Sequence, residues 1–227
     1  MIIKAGAVVK LQNSSKLTSY ECDGVMWPGV DLLGTTNAAN SIDQLPIAGG
    51  DQGCFYMTNS VIENAMVGID VGGNIPNNAG GIVRASQSTF RNNYNDVVFK
   101  KYRFEIGDDP VQNKSFFNLC TFVTDEHLKK PSLSPNNHVF LKGVDKISFN
   151  NCSFMNKTDI NTYNWFNRGT GIYSSRASFT LDGSNDPWTG SPIDSEQTTF
   201  YKLQYGIRSA GFNDPDAFYT CKEQEFQ

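Results

Sequence analysis

One six-residue phrase is written four times along this chain, and no copy is long enough to fold alone. Met57-Thr58-Asn59-Ser60-Val61-Ile62, Ala85-Ser86-Gln87-Ser88-Thr89-Phe90, Phe117-Asn118-Leu119-Cys120-Thr121-Phe122 and Phe149-Asn150-Asn151-Cys152-Ser153-Phe154 share one frame. Self-similarity at an interval of about thirty residues marks a solenoid, whose units bury their apolar sides against one another. Side chains alternate within the phrase. Ile147, Phe149, Cys152 and Phe154 are expected to point inward and Ser148 and Ser153 outward, with Asn150-Asn151 breaking the alternation at a bend. Short strands of period two interrupted by Asn suit a coil of β-structure. Asn tolerates left-handed backbone and can hydrogen-bond its own main chain at a turn. Another Asn recurs two residues after the closing apolar residue, at Asn64, Asn92 and Asn156.

A second strand follows at a fixed interval. Six residues after Ile62, Phe90 and Phe200 come Gly68, Asp96 and Gly206, opening Gly68-Ile69-Asp70-Val71, Asp96-Val97-Val98-Phe99 and Gly206-Ile207-Arg208. Gly29-Val30-Asp31-Leu32 and Gly171-Ile172-Tyr173 fit the same strand. The closing Phe/Ile positions read 62, 90, 122, 154, 179 and 200, giving intervals of 28, 32, 32, 25 and 21 residues. Fixed strands with variable loops explain that spread. The insertions map to Gly34 to Asp51, Gly72 to Gly80, His127 to His138, Lys157 to Gly169 and Asp182 to Glu196, all rich in turn-forming residues. No sustained helical period appears. The fold expected is therefore all-β, a single-stranded right-handed parallel β-helix of about seven coils, forming one domain over residues 1–227. At about 4.8 Å per coil such a prism is about 34 Å long.

Composition narrows the functions. Hydrophobic residues make up 39% and charged residues 19%, so the chain can build a core and is not held open by self-repulsion. A net charge of −4 argues against nucleic acid or an anionic membrane surface as partner. No stretch reaches the ~18 apolar residues of a membrane span. The start, Met1-Ile2-Ile3-Lys4-Ala5-Gly6, lacks a basic end followed by an apolar run, and the end, Tyr219-Thr220-Cys221-Lys222, lacks a capping pattern. The chain is expected to be a piece of a longer protein. Five Cys (22, 54, 120, 152 and 221) contain no C-x-x-C pair of the kind zinc needs. Cys120 and Cys152 share one position of the phrase and are expected to stack as small buried hydrophobes.

The succession Ile2-Ile3-Lys4-Ala5-Gly6-Ala7-Val8-Val9-Lys10-Leu11, Met26-Trp27-Pro28-Gly29-Val30-Asp31-Leu32, the run from Ser60 to Val71 and the run from Gly80 to Asn93 resembles secreted pectin-lyase-like β-helix proteins. Among these it is most similar to large surface proteins of Bacteroidetes-type bacteria, which often carry a C-terminal sorting domain for type IX secretion. The resemblance covers nearly the whole chain. It implies a secreted or cell-surface location, on the outer membrane exterior, and a structural role for Trp27.

Pectin-lyase-like folds include polysaccharide lyases and glycoside hydrolases. Gly107-Asp108-Asp109 resembles the acidic pair of polygalacturonase-like hydrolases, where Asp108 and Asp109 would serve as acid and base. That family's Asn-Thr-Asp, Gly-His-Gly and Arg-Ile-Lys triplets are absent, and Asp108-Asp109-Pro110 has the composition of a turn. A lyase would need an Arg or Lys base, for which Lys100 and Arg103 are candidates; Tyr102 between them is a candidate sugar contact. The plainer reading is a solvated strand end. No motif implies a cofactor; calcium is admissible through the loop carboxylates Asp182, Asp186 and Asp194. His127 and His138, at the edges of one loop, are expected to face solvent. Trp165 and Trp188, in two other loops, are candidates for stacking on a sugar.

The reading that follows is a non-catalytic structural or adhesive β-helix segment, contacting a polysaccharide, a surface protein or neighbouring domains through its loops. It expects outward positions of Ser, Thr, Asn and Lys. The alternative, a lyase or hydrolase of an acidic polysaccharide, expects a groove along one sheet face lined by Lys, Arg or Tyr. A trimeric spike is a third form of the fold, but no interdigitating end is present in the sequence.

Overall fold

The computed structural model describes residues 1–20, 24–35, 50–74, 77–102, 105–106, 109–110, 113–129, 135–159, 164–182, 197–210, 219–221 and 224–226. For 105–106, 109–110, Trp165, Asp182, 219–221 and 224–226 only the backbone is described. Three parallel sheets of seven strands each form the molecule, and the chain visits them in the same order on every turn. The first face holds Ile2–Ile3, Trp27–Leu32, Ala65–Val71, Asn95–Phe99, Asn137–Lys142, Thr170–Ser175 and Tyr205–Ala210. The second holds Val8–Leu11, Cys54–Thr58, Ile82–Ser86, Phe116–Asn118, Ile147–Asn150, Phe179–Asp182 and Tyr219–Cys221. The third holds Lys16–Leu17, Val61–Glu63, Thr89–Arg91, Thr121–Thr124, Ser153–Asn156, Thr198–Tyr201 and Gln224–Phe226. This is a parallel β-helix of seven coils. Among the described residues the one helical element is a 3-10 turn at Trp165–Asn167, and none is long and apolar enough to cross a membrane.

The repeated phrase spans the corner between the second and third faces. Its inward residues form columns, because equivalent residues pair in register: Met57, Ala85, Phe117, Phe149 and Leu181 on one side, Ile62, Phe90, Phe122, Phe154 and Phe200 on the other. The Phe90–Phe122, Phe122–Phe154 and Phe154–Phe200 rings stack at 4.9, 4.6 and 5.0 Å, within 8° of parallel. Phe117 and Phe149 meet that stack edge-on, at 5.6 Å from Phe122 and 5.9 Å from Phe154. Offset-stacked and edge-on contacts are the favoured aromatic geometries. Phe179 does not close a coil. It pairs with Ile147 on the second face, and Phe200 follows Phe154 in the third-face column.

Every corner of the phrase turns on one left-handed residue: Asn59, Gln87, Leu119 and Asn151, with φ of 47, 49, 54 and 52°. Beside it runs a column of small polar groups, Ser60, Ser88, Cys120, Cys152 and Thr198, joined by backbone bonds from coil to coil. Ser60 and Ser88 donate their hydroxyls to the carbonyls of Thr58 and Ser86, both at 2.8 Å. Cys120 and Cys152 donate their thiols to Asn118 and Asn150 at 3.5 and 3.4 Å. Cys120 and Cys152 are buried and stacked as expected, and their thiols are neighbours. Their partners show that they stand in a hydroxyl column.

His138 departs from expectation. It is 6% exposed, and its Nδ1 lies 2.5 Å from Asp96 Oδ2 inside the coil. Asp96 and His138 fall in the first-face position held elsewhere by Gly68, Gly171 and Gly206. A Cβ on Gly171 would lie 2.7 Å from the Phe200 ring, so that coil fills the space from the other side. In the Asp96 and His138 coils the polar pair fills it instead, against Phe122 and Phe154.

Candidate functional site

The three faces use their outer surfaces differently. On the third face the outward row Thr89, Thr121, Ser153 and Thr199 is small and polar, and the row beside it begins with an ion ladder. Glu63 there is paired by Lys16 at 3.0 Å and by Arg91. On the first face the outward row reads Ile2, Asp31, Asp70, Val98, Phe140, Tyr173 and Arg208, one residue per coil. Four of these seven are apolar or aromatic, against the expectation of Ser, Thr, Asn and Lys.

A groove of about 650 Å³ crosses this face along the solenoid axis, with Asp70, Val98, Phe140, Tyr173 and Arg208 on its floor. Phe140 and Tyr173 are stacked with ring centroids 5.2 Å apart and planes 12° from parallel. In-register pairing of adjacent parallel strands imposes this spacing, so the two rings stand face to face as a stacked pair on the groove floor. The neighbouring outward row adds amides: Asn95 Oδ1 accepts from the Asn137 backbone amide at 3.3 Å.

The rim comes from the insertions that precede the first-face strands. Pro135 and Asn136 end one; Phe166, Asn167 and Gly169 end another. Asn136 is tied to the coils on both sides, donating to Tyr94 O at 3.0 Å and accepting from the Thr170 amide at 2.9 Å. The second insertion is pinned by Arg168, which is 2% exposed. Its guanidinium donates to Lys202 O and Thr158 O, each at 2.8 Å, and its own carbonyl accepts from Asn156 Nδ2 at 3.1 Å. Phe166, two residues before this anchor, is 74% exposed at the groove's edge.

The charges sit at the groove's ends. Lys100 Nζ lies 3.0 Å from Asp70 Oδ2 and donates to Gly73 O and to Asn74 Oδ1, the latter at 3.2 Å. Burial pushes the Asp70 carboxyl up, Lys100 offsets part of that, and the neighbouring Asp31 adds to it. At the other end the Arg208 guanidinium lies over the Tyr173 and Tyr205 rings, 5.3 and 5.4 Å from their centroids. Cation–π contacts of this kind hold the guanidinium at the rings.

Of the residues singled out from sequence, Lys100 is the one that lines the groove among the described residues. Tyr102 is 1% exposed and packs in the core, its ring 2.6 Å from where a Cβ on Gly80 would sit. That ring is closed to a ligand at the surface. Asp109 belongs to an antiparallel pair, Glu105–Ile106 with Asp109–Pro110, set apart from the three parallel sheets. Asp108 and Arg103 lie outside the described residues, as do Trp188, Asp186 and Asp194. Trp165 opens the 3-10 turn and Asp182 ends a second-face strand; the described part of each is its backbone. His127 is exposed, its side chain 80% accessible. Among the described residues no three His, Cys, Asp or Glu side chains are placed to share a metal ion.

Phe140, Tyr173, Arg208 and Phe166 were missed from sequence. The signal for two of them was present, since Tyr173 and Arg208 are the third residues of the recurring Gly-apolar strand. No protein-family model matches the chain, and no curated protein matches it significantly.

Proposed function

We propose that the chain is a non-catalytic, adhesive β-helix segment of a secreted or cell-surface protein, and that it contacts glycans along the groove of the first face. The observation that carries this reading is the Phe140–Tyr173 pair, two near-parallel rings stacked face to face across adjacent coils on the groove floor beside amides and charged groups. Sugar rings present flat C–H faces that pack on aromatic rings and a rim of hydroxyls that needs hydrogen-bond partners. A stacked pair bordered by Asn95, Asn137, Lys100 and Arg208 offers both. A rigid scaffold also lowers the ordering cost of binding.

Affinity electrophoresis through gels holding a neutral β-glucan, a mannan or a polyuronate tests the reading. At least one polymer is expected to retard the chain, and Tyr173→Ala to abolish the retardation while the fold persists. Unretarded migration in all three gels would remove the glycan reading.

A hydrolytic reading draws on one observation. Asp31 and Asp70 pair in register, which sets two outward carboxyls on adjacent strands, and one of them is pushed up. Two neighbouring carboxyl groups are the working groups of many glycosidases. Incubation with the same polymers, read by new reducing ends and by ultraviolet absorbance of unsaturated products, separates the two. The adhesive reading expects neither signal.

A further inference from the structure

In the buried column beside the phrase's corner, Ser60, Ser88 and Thr198 carry hydroxyls, while Cys120 and Cys152 carry thiols on consecutive coils. Both thiols are free and closed to solvent, at 1% and 0% exposure. Ser60 and Ser88 make the same bond as the two cysteines, to the carbonyl two residues earlier. Hydrogen bonding therefore accounts for a small polar side chain at these positions. It does not account for sulfur, twice and side by side.

Register fixes how near the two cysteines stand. Asn118 pairs with Asn150 and Thr121 with Ser153, so one offset runs unbroken across Cys120 and Cys152. The backbone bonds on either side, from Leu119 N to Asn150 O and from Ser153 N to Cys120 O, are both 2.9 Å. In-register residues of neighbouring parallel strands lie about 4.8 Å apart, inside the ~4.4–6.8 Å that separates the α-carbons of a disulfide. The thiols are neighbours, and Cys152 Sγ reaches Phe117 O of the Cys120 coil at 3.5 Å. Cys54, the other cysteine whose side chain is described, has Val8 and Ile82 beside it instead.

We infer that Cys120 and Cys152 are an oxidation site, which a small-molecule disulfide converts into an Sγ–Sγ bond tying the fourth coil to the fifth. One protein thiolate attacks the reagent's S–S bond and expels half of the reagent as a thiolate. The second protein thiolate then displaces the other half from the mixed disulfide. One S–S bond forms as one breaks, and the reagent leaves as two thiols carrying both protons and both electrons. The new bond closes a 32-residue loop, so it acts by restricting the unfolded chain. In a reducing compartment the pair stays open. The inference is independent of what the groove binds.

The test brings the full chain to equilibrium with reduced and oxidised glutathione at rising oxidised fraction, both folded and during refolding from denaturant. Free thiols are then capped with iodoacetamide in denaturant. Non-reducing tryptic mass mapping is expected to find Ser115–Lys129 joined to Ile147–Lys157. The oxidised chain is expected to melt about 5–10 °C above the reduced one. Cys152→Ser should fold, since Ser60 and Ser88 already fill this column, and should lose that shift. Capping of both cysteines at the most oxidising ratio in both arms would overturn the inference, as would joining of either to a different cysteine. A melting shift that persists in Cys152→Ser would also overturn it, because another pair then carries the effect. The mapping needs only the wild-type chain, so it decides the matter even where the variant fails to fold.

Discussion

The first and third faces are built by the same winding, yet the main outward rows on their surfaces differ. Inside, both present continuous apolar columns: Val30, Ile69, Val97, Val139 and Ile172 behind the first, and the Phe90 to Phe200 stack behind the third. Outside, the third face carries a hydroxyl row and an ion ladder, whereas the first carries a stacked aromatic pair beneath a rim of inserted loops. In-register stacking dictates that inward positions repeat. It places no such demand on the alternate positions, and it is there that one face has become distinct.

The comparison breaks most severely when an inward position is emptied. Phe122→Ala removes the central ring of the third-face stack, and a loss of about 3–5 kcal/mol is expected in denaturant unfolding. A much smaller loss would show that the column can collapse and that in-register stacking is not what the core demands. Next in size is a gain. Leu119 holds the left-handed corner that Asn59 and Asn151 hold in other coils, and a branched apolar residue is strained there. Leu119→Asn is expected to raise stability by about 1 kcal/mol and also to remove an exposed hydrophobe.

The third-face ladder gives a pH test. Burial raises the Glu63 carboxyl, but Arg91 and Lys16 outweigh it and hold the group below the usual carboxylate range. A depressed carboxylate contributes stability that is present above its unfolded pKa of about 4.3 and is lost as pH falls through its folded value. The stability gap between the wild type and Glu63→Gln should therefore be widest at neutral pH, up to about 1 kcal/mol for part-exposed partners, and close below pH ~4. Smallest of all, Tyr173→Ala should cost under about 1 kcal/mol, the value of a cross-strand aromatic pair, while abolishing retention by glycan. If it unfolds the chain, the first face's outer row is structural and the contrast between faces disappears.

The architecture was legible because its signal is periodic. The inward residues of the phrase, its bend and the recurring Gly-apolar strand all fell where expected. Phe179 misled because period and apolarity say that a residue points inward, not at which wall. His138 misled because it stands where other coils have Gly, at the end of a long insertion, and sequence gives no sign that Asp96 waits one coil below. The site was harder still. Asp31, Asp70, Val98, Tyr173 and Arg208 are the third residues of strands that were recognised, so the row was readable. Phe140 was not, since its strand opens on Asn137-His138. A groove is a relation between coils 28 to 42 residues apart, and the local patterns that flag Asp108 or Trp188 carry no trace of it.

The 32-residue interval between equivalent closing residues has a practical corollary. Residues 123–154 form one complete turn, so cutting them out joins Phe122 to Met155, the residue that already follows Phe154. Such a shortened chain keeps all other side chains on the side of the wall they now occupy, whereas losing a single residue within a strand would turn that wall inside out. The molecule is thus modular in whole turns. Binding length could be shortened or extended like links in a watch strap, with Phe140 leaving in the first link removed.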